Sequence, residues 1–258
     1  MLSWSVCSCH ASNDCNKTSH FAVWKDRAAT IFASSSKILS SVRVPRNFSV
    51  FLLYVCERLN GFTLQTTFRY NSHYWLDKQV YNPDGGLTGF DEIETKLPSY
   101  WSTPFNEMCL GMRSQGTTNW IRVESYNTSS LYSLLADDNH RPTSIGRNTW
   151  KSLLAGSSLQ SNCNMEGFNL NPPTFYAWWT AKARIGILGN NENNCISCDS
   201  RLGFGTGGSS VGMDDTNSCG NEAVEEADNG DQHIKAHCYI LVHWTRTMLD
   251  WIGNTDLD

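Results

Sequence analysis

Ala181-Lys-Ala-Arg-Ile-Gly-Ile-Leu188 and Ile234-Lys-Ala-His-Cys-Tyr-Ile-Leu-Val-His-Trp244 decide how this chain is read. The first is short, apolar and strand-like. The second alternates, with Ile234, Ala236, Cys238, Ile240, Val242 and Trp244 on one side, which is the period of a half-buried strand. Between them Gly189 to Gln232 is rich in Gly, Asn, Ser and acids, and it reads as one loop of unusual length. A structureless loop of that size inside a compact domain needs something to hold it, and disulfides or a bound ion are the usual means.

Working outward, Phe62-Thr-Leu-Gln-Thr-Thr-Phe-Arg-Tyr70 and Asn119 to Glu124 read as further strands, and Asn82-Pro-Asp-Gly-Gly86 as a turn. Ser102-Thr-Pro-Phe105 offers a cap and a Pro suited to a helix start. Leu131, Leu134 and Leu135 follow Ser129 and Ser130, which can cap a helix. Trp150, Leu153 and Leu154 repeat that spacing behind Asn148, with Gly156 to end it. Phe48 to Cys56 is apolar but shorter than the roughly 20 residues of a membrane helix. It reads as a buried strand rather than a displaced signal core. The expected architecture is α+β: a mostly antiparallel sheet, short helices and one long functional loop.

Residues 1–45 are rich in Ser, Ala and Cys, carry a short helix candidate at Lys25 to Leu39, and offer no basic start followed by an apolar core. They read as a divergent N-terminal extension or a misplaced gene start. Pro45-Arg-Asn47 marks the boundary to a domain over 46–246, and 247–258 read as a C-terminal tail.

The chain has 258 residues, 40% hydrophobic and 17% charged, with a formal net charge of −5. No basic stripe accompanies that charge, which argues against a nucleic-acid partner and an anionic membrane surface. Ten cysteines point to an oxidising compartment or to metal. Asn16, Asn47 and Asn127 each open a glycosylation sequon, and Asn127 is the glycosylation candidate.

The acidic run is the strongest chemical signal. Between Leu202 and Ile234 there is no Lys or Arg, while Asp214, Asp215, Glu222, Glu225, Glu226, Asp228 and Asp231 all occur. Carboxylates on a loop with Asn and backbone carbonyls are what calcium takes, and Asp214, Asp215, Glu225, Asp228 and Asp231 are the candidate ligands. A solvated acidic loop is the plainer reading. Cys195-Ile-Ser-Cys198 lacks the strand-to-helix setting of a redox pair and the second pair of a zinc ribbon, so it reads as structural disulfide chemistry. Gly203-Phe-Gly-Thr-Gly-Gly208 and Gly208-Ser-Ser-Val-Gly212 match a dinucleotide fingerprint and a nucleophile elbow, but neither has the required context. Both read as Gly-rich loop composition, and the chain reads as a non-enzyme, with a hydrolase built on Ser210 as the enzymatic rival.

In order, these features resemble a known family. Cys56 followed by Gly61-Phe-Thr-Leu64 resembles the opening of fibrinogen-related domains. Gly89-Phe-Asp-Glu-Ile-Glu-Thr-Lys-Leu-Pro-Ser-Tyr-Trp101 resembles the intelectin (X-type lectin) branch, and Asn190-Asn-Glu192, Cys195, Cys198 and Cys219-Gly220 follow that branch's order. The stretch 60–243, with Cys109-Leu-Gly-Met112 and Ala183-Arg-Ile-Gly-Ile187, is similar to the fibrinogen-like region of coral skeletal organic matrix proteins. The resemblance covers about residues 50–245.

It implies a fibrinogen C-terminal-like fold, secretion, and a calcium-stabilised surface that binds glycans or extracellular matrix proteins, with oligomers allowed. It implies ligand contacts at Asn190, Asn191, Glu192 and Asn221. Disulfide candidates are Cys56, Cys109, Cys163, Cys195, Cys198 and Cys219; by the same resemblance Cys163 pairs with Cys198, with Cys195 as the alternative. Three features depart from the pattern. Asn221 stands where an Asp is expected, no aromatic occurs between Phe204 and Tyr239, and no His flanks Cys195 or Cys198. These departures favour an extracellular matrix component over a calcium-dependent lectin.

Overall fold

A long antiparallel hairpin over 105–114 and 117–128 organises the computed structural model. The structure describes residues 53–55, 67–87, 93–173, 180–208 and 217–243. In chain order the strands are β1 (Leu53–Val55), β2 (Phe105–Ser114), β3 (Thr117–Thr128), β4 (Arg141–Pro142), β5 (Asn162–Leu170), β6 (Lys182–Asn190), β7 (Ser200–Gly207), β8 (Cys219–Ala223), β9 (Gln232–Lys235) and β10 (His237–His243). Single helical turns α1 (Ser99–Ser102), α2 (Leu131–Leu135) and α3 (Arg147–Lys151) lie between them. No helix of the described residues is long and apolar enough to cross a membrane.

Two antiparallel sheets result, in the orders β1-β10-β2-β3 and β4-β5-β6-β7-β8-β9. The β2–β3 turn places Gln115 and Gly116 at φ +50° and +80°, the conformation that matches the twist of a two-residue hairpin. Phe105, Met108, Leu110 and Met112 of β2, Ile121 and Val123 of β3, and Ile240 and Val242 of β10 share one core with Phe168, Ile185, Ile187, Leu202 and Phe204 of the larger sheet. Leu170, Ala181, Ala183, Leu188, Cys198 and Val224 form a second cluster. β6 is buried almost throughout, Arg184 included, whose Nε donates to Tyr70 O at 2.8 Å and Nη1 to Asp138 Oδ1 at 2.7 Å.

The Gly189–Gln232 stretch is not one loop. It carries β7 and β8, every residue of which is buried. Their polar side chains are buried because each finds a partner: Ser200 Oγ accepts from Gln160 N at 2.9 Å, and Arg201 Nη1 donates to Gly207 O at 3.0 Å. Their glycines have a packing reason. Gly167, Gly186, Gly203 and Gly220 stand opposite one another across β5, β6, β7 and β8. A Cβ at Gly186 would lie 2.4 Å from Leu202 O, and one at Gly203 would lie 2.4 Å from Ile185 O. The backbones approach too closely there for any side chain. Of the glycines that mimic a phosphate loop, Gly203 and Gly205 are therefore strand glycines of β7, and Gly208 follows its end.

The alternating closing segment is two strands. Ile234 belongs to β9 in the six-stranded sheet, and the chain crosses at Ala236 into β10 of the other sheet. The Cys219–Cys238 disulfide joins β8 to β10 beside this crossing and staples the sheets together. The helix expected from Ser102-Thr-Pro-Phe105 also differs: α1 ends at Ser102, and Thr103, preceding Pro104, is extended (φ −115°, ψ 118°). Steric exclusion of the residue before proline from the α region is the cause. Of the expected strand at 62–70, residues 62–66 lie outside the described set and 67–70 form a turn. Cys56, the 25–39 helix and the 1–45 extension lie outside it too.

Helix caps follow the sequence more closely. Ser130 caps α2 through a reciprocal box with Ser133, at 3.1 and 3.2 Å. α3 starts behind Gly146 rather than behind Asn148, with no side-chain cap, and the turn that leads into it is held from β5. The Glu166 carboxylate accepts from Ile145 N (3.1 Å), Gly146 N (3.1 Å), Thr143 Oγ1 (3.0 Å) and Trp150 Nε1 (2.6 Å). Lys96 is fully buried under Tyr100, Tyr74 and Trp101, with its ammonium 4.7 Å from the Tyr100 ring centre and 2.7 Å from Asp77 Oδ1.

Candidate functional site

The acidic residues that read as one cluster are dispersed by the fold. Glu222 is fully buried on β8, where Oε1 accepts from Asn217 Nδ2 at 3.1 Å and Oε2 lies 2.6 Å from His233 Nδ1 across the β8–β9 pair. Glu225 and Asp231 are exposed on the connection between those strands. Asp214 and Asp215 lie outside the described residues. Among the described residues, no three His, Cys, Asp or Glu side chains gather at metal-ligand range.

Asp228 is engaged by cations of the protein itself. Its Oδ2 receives Arg147 Nη2 at 2.8 Å and Lys151 Nζ at 2.5 Å, while Oδ1 receives Leu159 N at 3.1 Å and Ser158 Oγ at 3.3 Å. Burial pushes the carboxyl up, but the hydrogen bonds from Lys151, Arg147 and Leu159 outweigh it and hold the acid well below the usual carboxylate range. Asp228 thus clamps the 225–231 connection onto the segment after α3. Asn221 does the same from β8: it is fully buried, accepts from Ser158 N at 2.8 Å, and donates to Ser158 O at 2.8 Å and Arg201 O at 2.9 Å. Those bonds hold β8 to the segment after α3 and to β7.

The Asn190-Asn191-Glu192 segment is arranged differently. Asn190 ends β6 with its side chain fully buried, and its Nδ2 donates to Asn194 O at 2.9 Å. Asn194 Oδ1 accepts from Ile196 N at 2.8 Å, which closes the bend over 191–197. Asn162 Nδ2 holds the Asn191 carbonyl at 2.7 Å. Yet Asn190 Oδ1 and Asn191 Oδ1 are both buried acceptors with no hydrogen-bond partner among the described residues. Each such atom costs about 1–3 kcal/mol unless a water or ion satisfies it. Glu192 follows immediately and is exposed. The side chains of these three consecutive residues carry hard oxygen donors of the kind calcium takes.

The bend is tied down by Cys163–Cys195, from a β5 bulge in which Cys163 and Asn164 adopt φ +64° and +51°. Cys198 is a buried free thiol, pushed up to about 12 by burial and then by Asp199. The structure therefore pairs Cys163 with Cys195, not with Cys198 as the resemblance implies. Cys109 is a half-buried free thiol on β2, opposite Arg122 and Leu241. Asn127 lies on β3, with its side chain outside the described set.

Beside the Asp228 clamp, Asn119, Lys151, Leu154, Gly156, Ser157 and Asn229 help line an open cleft of about 410 Å³. No spacing in the sequence signals this site or the clamp, whose partners lie 77 and 81 positions apart. No family model, curated protein or solved structure matches the chain.

Proposed function

We propose that the chain is a non-enzymatic, calcium-binding extracellular matrix or adhesive protein built on a fibrinogen-like domain. The observation that carries this reading is the two amide oxygens of Asn190 and Asn191, buried and without a hydrogen-bond partner among the described residues, with Glu192 next in sequence. Those residues would hold the cation, which supplies charge and rigidity to a surface bend. The disulfide on the same bend and the inter-sheet disulfide suit an oxidising compartment.

Calorimetric titration of the purified chain with calcium tests the reading. Binding that is lost in an Asn191→Ala, Glu192→Ala double variant supports it; binding unchanged in that variant rejects the ligand set.

A lectin reading has its own observation, the cleft beside Asp228, whose size suits one or two sugar rings. Its lining contains amides, a lysine and small residues but no aromatic wall, which favours the matrix reading. A glycan array in calcium separates the two, because specific binding that is lost on blocking the cleft with Ser157→Trp would make the protein a lectin.

A further inference from the structure

Cys198 lies outside both disulfides, but it is not isolated. Its Sγ sits 3.7 Å from the Sγ of Cys163, whose present partner is Cys195. Three sulfurs thus meet in the second apolar cluster, against Leu170, Leu188 and Val224. Cys198 is firmly held: its N–H donates to Thr180 Oγ1 at 3.0 Å and its carbonyl accepts from Ala181 N at 2.7 Å. Cys195 instead rides on the surface bend, half-buried and next to Ile196, which is 53% exposed.

We propose that Cys163–Cys195 and Cys163–Cys198 are two interconverting disulfides of the folded chain, exchanged by attack of the Cys198 sulfur on Cys163. In the step, the Cys198 thiolate forms a bond to Cys163 Sγ as the Cys163–Cys195 bond breaks. The electron pair leaves on Cys195, which takes up from solvent the equivalent of the proton that Cys198 released. One disulfide and one thiol are present before and after, so neither oxidant nor reductant is required. The exchange moves the free thiol from the interior to the surface and unties the 191–197 bend from β5. Because Asn191 and Glu192 lie on that bend, exchange would also loosen the cation site, a consequence that rests on the calcium reading; the sulfur chemistry does not.

The raised Cys198 thiol makes the reaction base-driven, since the thiolate is the nucleophile. The test is disulfide mapping of the full oxidised chain, incubated without redox reagents at about pH 7, 8 and 9, acid-quenched, denatured and labelled with a maleimide. The expected result is a Cys163–Cys198-linked peptide with label on Cys195, accumulating about tenfold faster per pH unit. The Cys198→Ser variant should show none of it. A second variant, Cys195→Ser, prepared under oxidising conditions, should contain the Cys163–Cys198 bond. Label on Cys198 and none on Cys195 at every pH would overturn the proposal, as would two free thiols at Cys163 and Cys198 in the Cys195→Ser variant.

Discussion

Replacing Asp228 with Ala separates a structural clamp from a calcium ligand. The substitution removes the acceptor for Leu159 N, a buried backbone donor, at a cost of about 1–2 kcal/mol. It also removes two ion pairs whose side chains are 21%, 18% and 31% exposed at Arg147, Lys151 and Asp228. Solvent screening at that exposure leaves about 0.5–1 kcal/mol for each pair. The expected loss is about 2–4 kcal/mol, which lowers the melting temperature of a domain this size by about 5–12 °C. Because the cations that engage Asp228 belong to the protein, the loss should be the same in a chelator and in calcium. Asp228→Asn, which keeps an acceptor for Leu159 N, should lose about half as much. The assay is urea denaturation of both variants under both conditions. A loss below about 0.5 kcal/mol in chelator, or one that appears only with calcium, would refute the clamp and restore Asp228 as a metal ligand.

Other consequences are more local. Glu166→Ala should orphan the Trp150 indole N–H and the Ile145 and Gly146 amides, lowering stability by about 3 kcal/mol and blue-shifting little of the other tryptophan fluorescence. Gly203→Ala places a Cβ 2.4 Å from Ile185 O and should cost more than about 2 kcal/mol by thermal melt. Hydrogen bonds from Arg141 lower the Asp137 carboxyl, and those from Lys151 and Arg147 lower Asp228 against the effect of burial. Their stabilisation is therefore complete above the unfolded carboxylate pKa near about 4 and is lost as pH falls below it. The stability gap between wild type and Asp228→Asn should be flat from about pH 5 to 8 and close below about pH 4.

Much of the fold is legible in the sequence where burial is apolar. The β3 and β6 strands and the α2 and α3 turns all carry visible periodicity, and Ser130 signals its own cap. What is hidden is burial through polar contacts. Ser-Arg-Leu-Gly-Phe-Gly-Thr-Gly over 200–207 looks like a loop because Ser200, Arg201 and Thr206 are inside by virtue of hydrogen bonds that the hydrophobic pattern does not show. The crossing at Ala236 is hidden for the opposite reason. Ile234, Ala236, Cys238 and Ile240 all face the same core, so the alternation runs on while the chain changes sheets. The candidate site divides in the same way. Asn190, Asn191 and Glu192 stay together because they are consecutive, whereas the acids of 214–231 were grouped by sequence alone. In the fold Glu222 turns to His233 and Asp228 to Arg147 and Lys151.

The most direct test of the cation-binding bend is a thermal melt of the non-reduced full chain, with calcium and with a chelator. It should be run on the wild type and on the Asn191→Ala, Glu192→Ala double variant. At calcium near about a hundredfold over its dissociation constant, binding to the folded state adds about 2.7 kcal/mol, which corresponds to a rise of roughly 5–10 °C. The account predicts that rise in the wild type and its loss in the double variant. An unchanged wild-type melting temperature, or a rise that survives the double substitution, would contradict it.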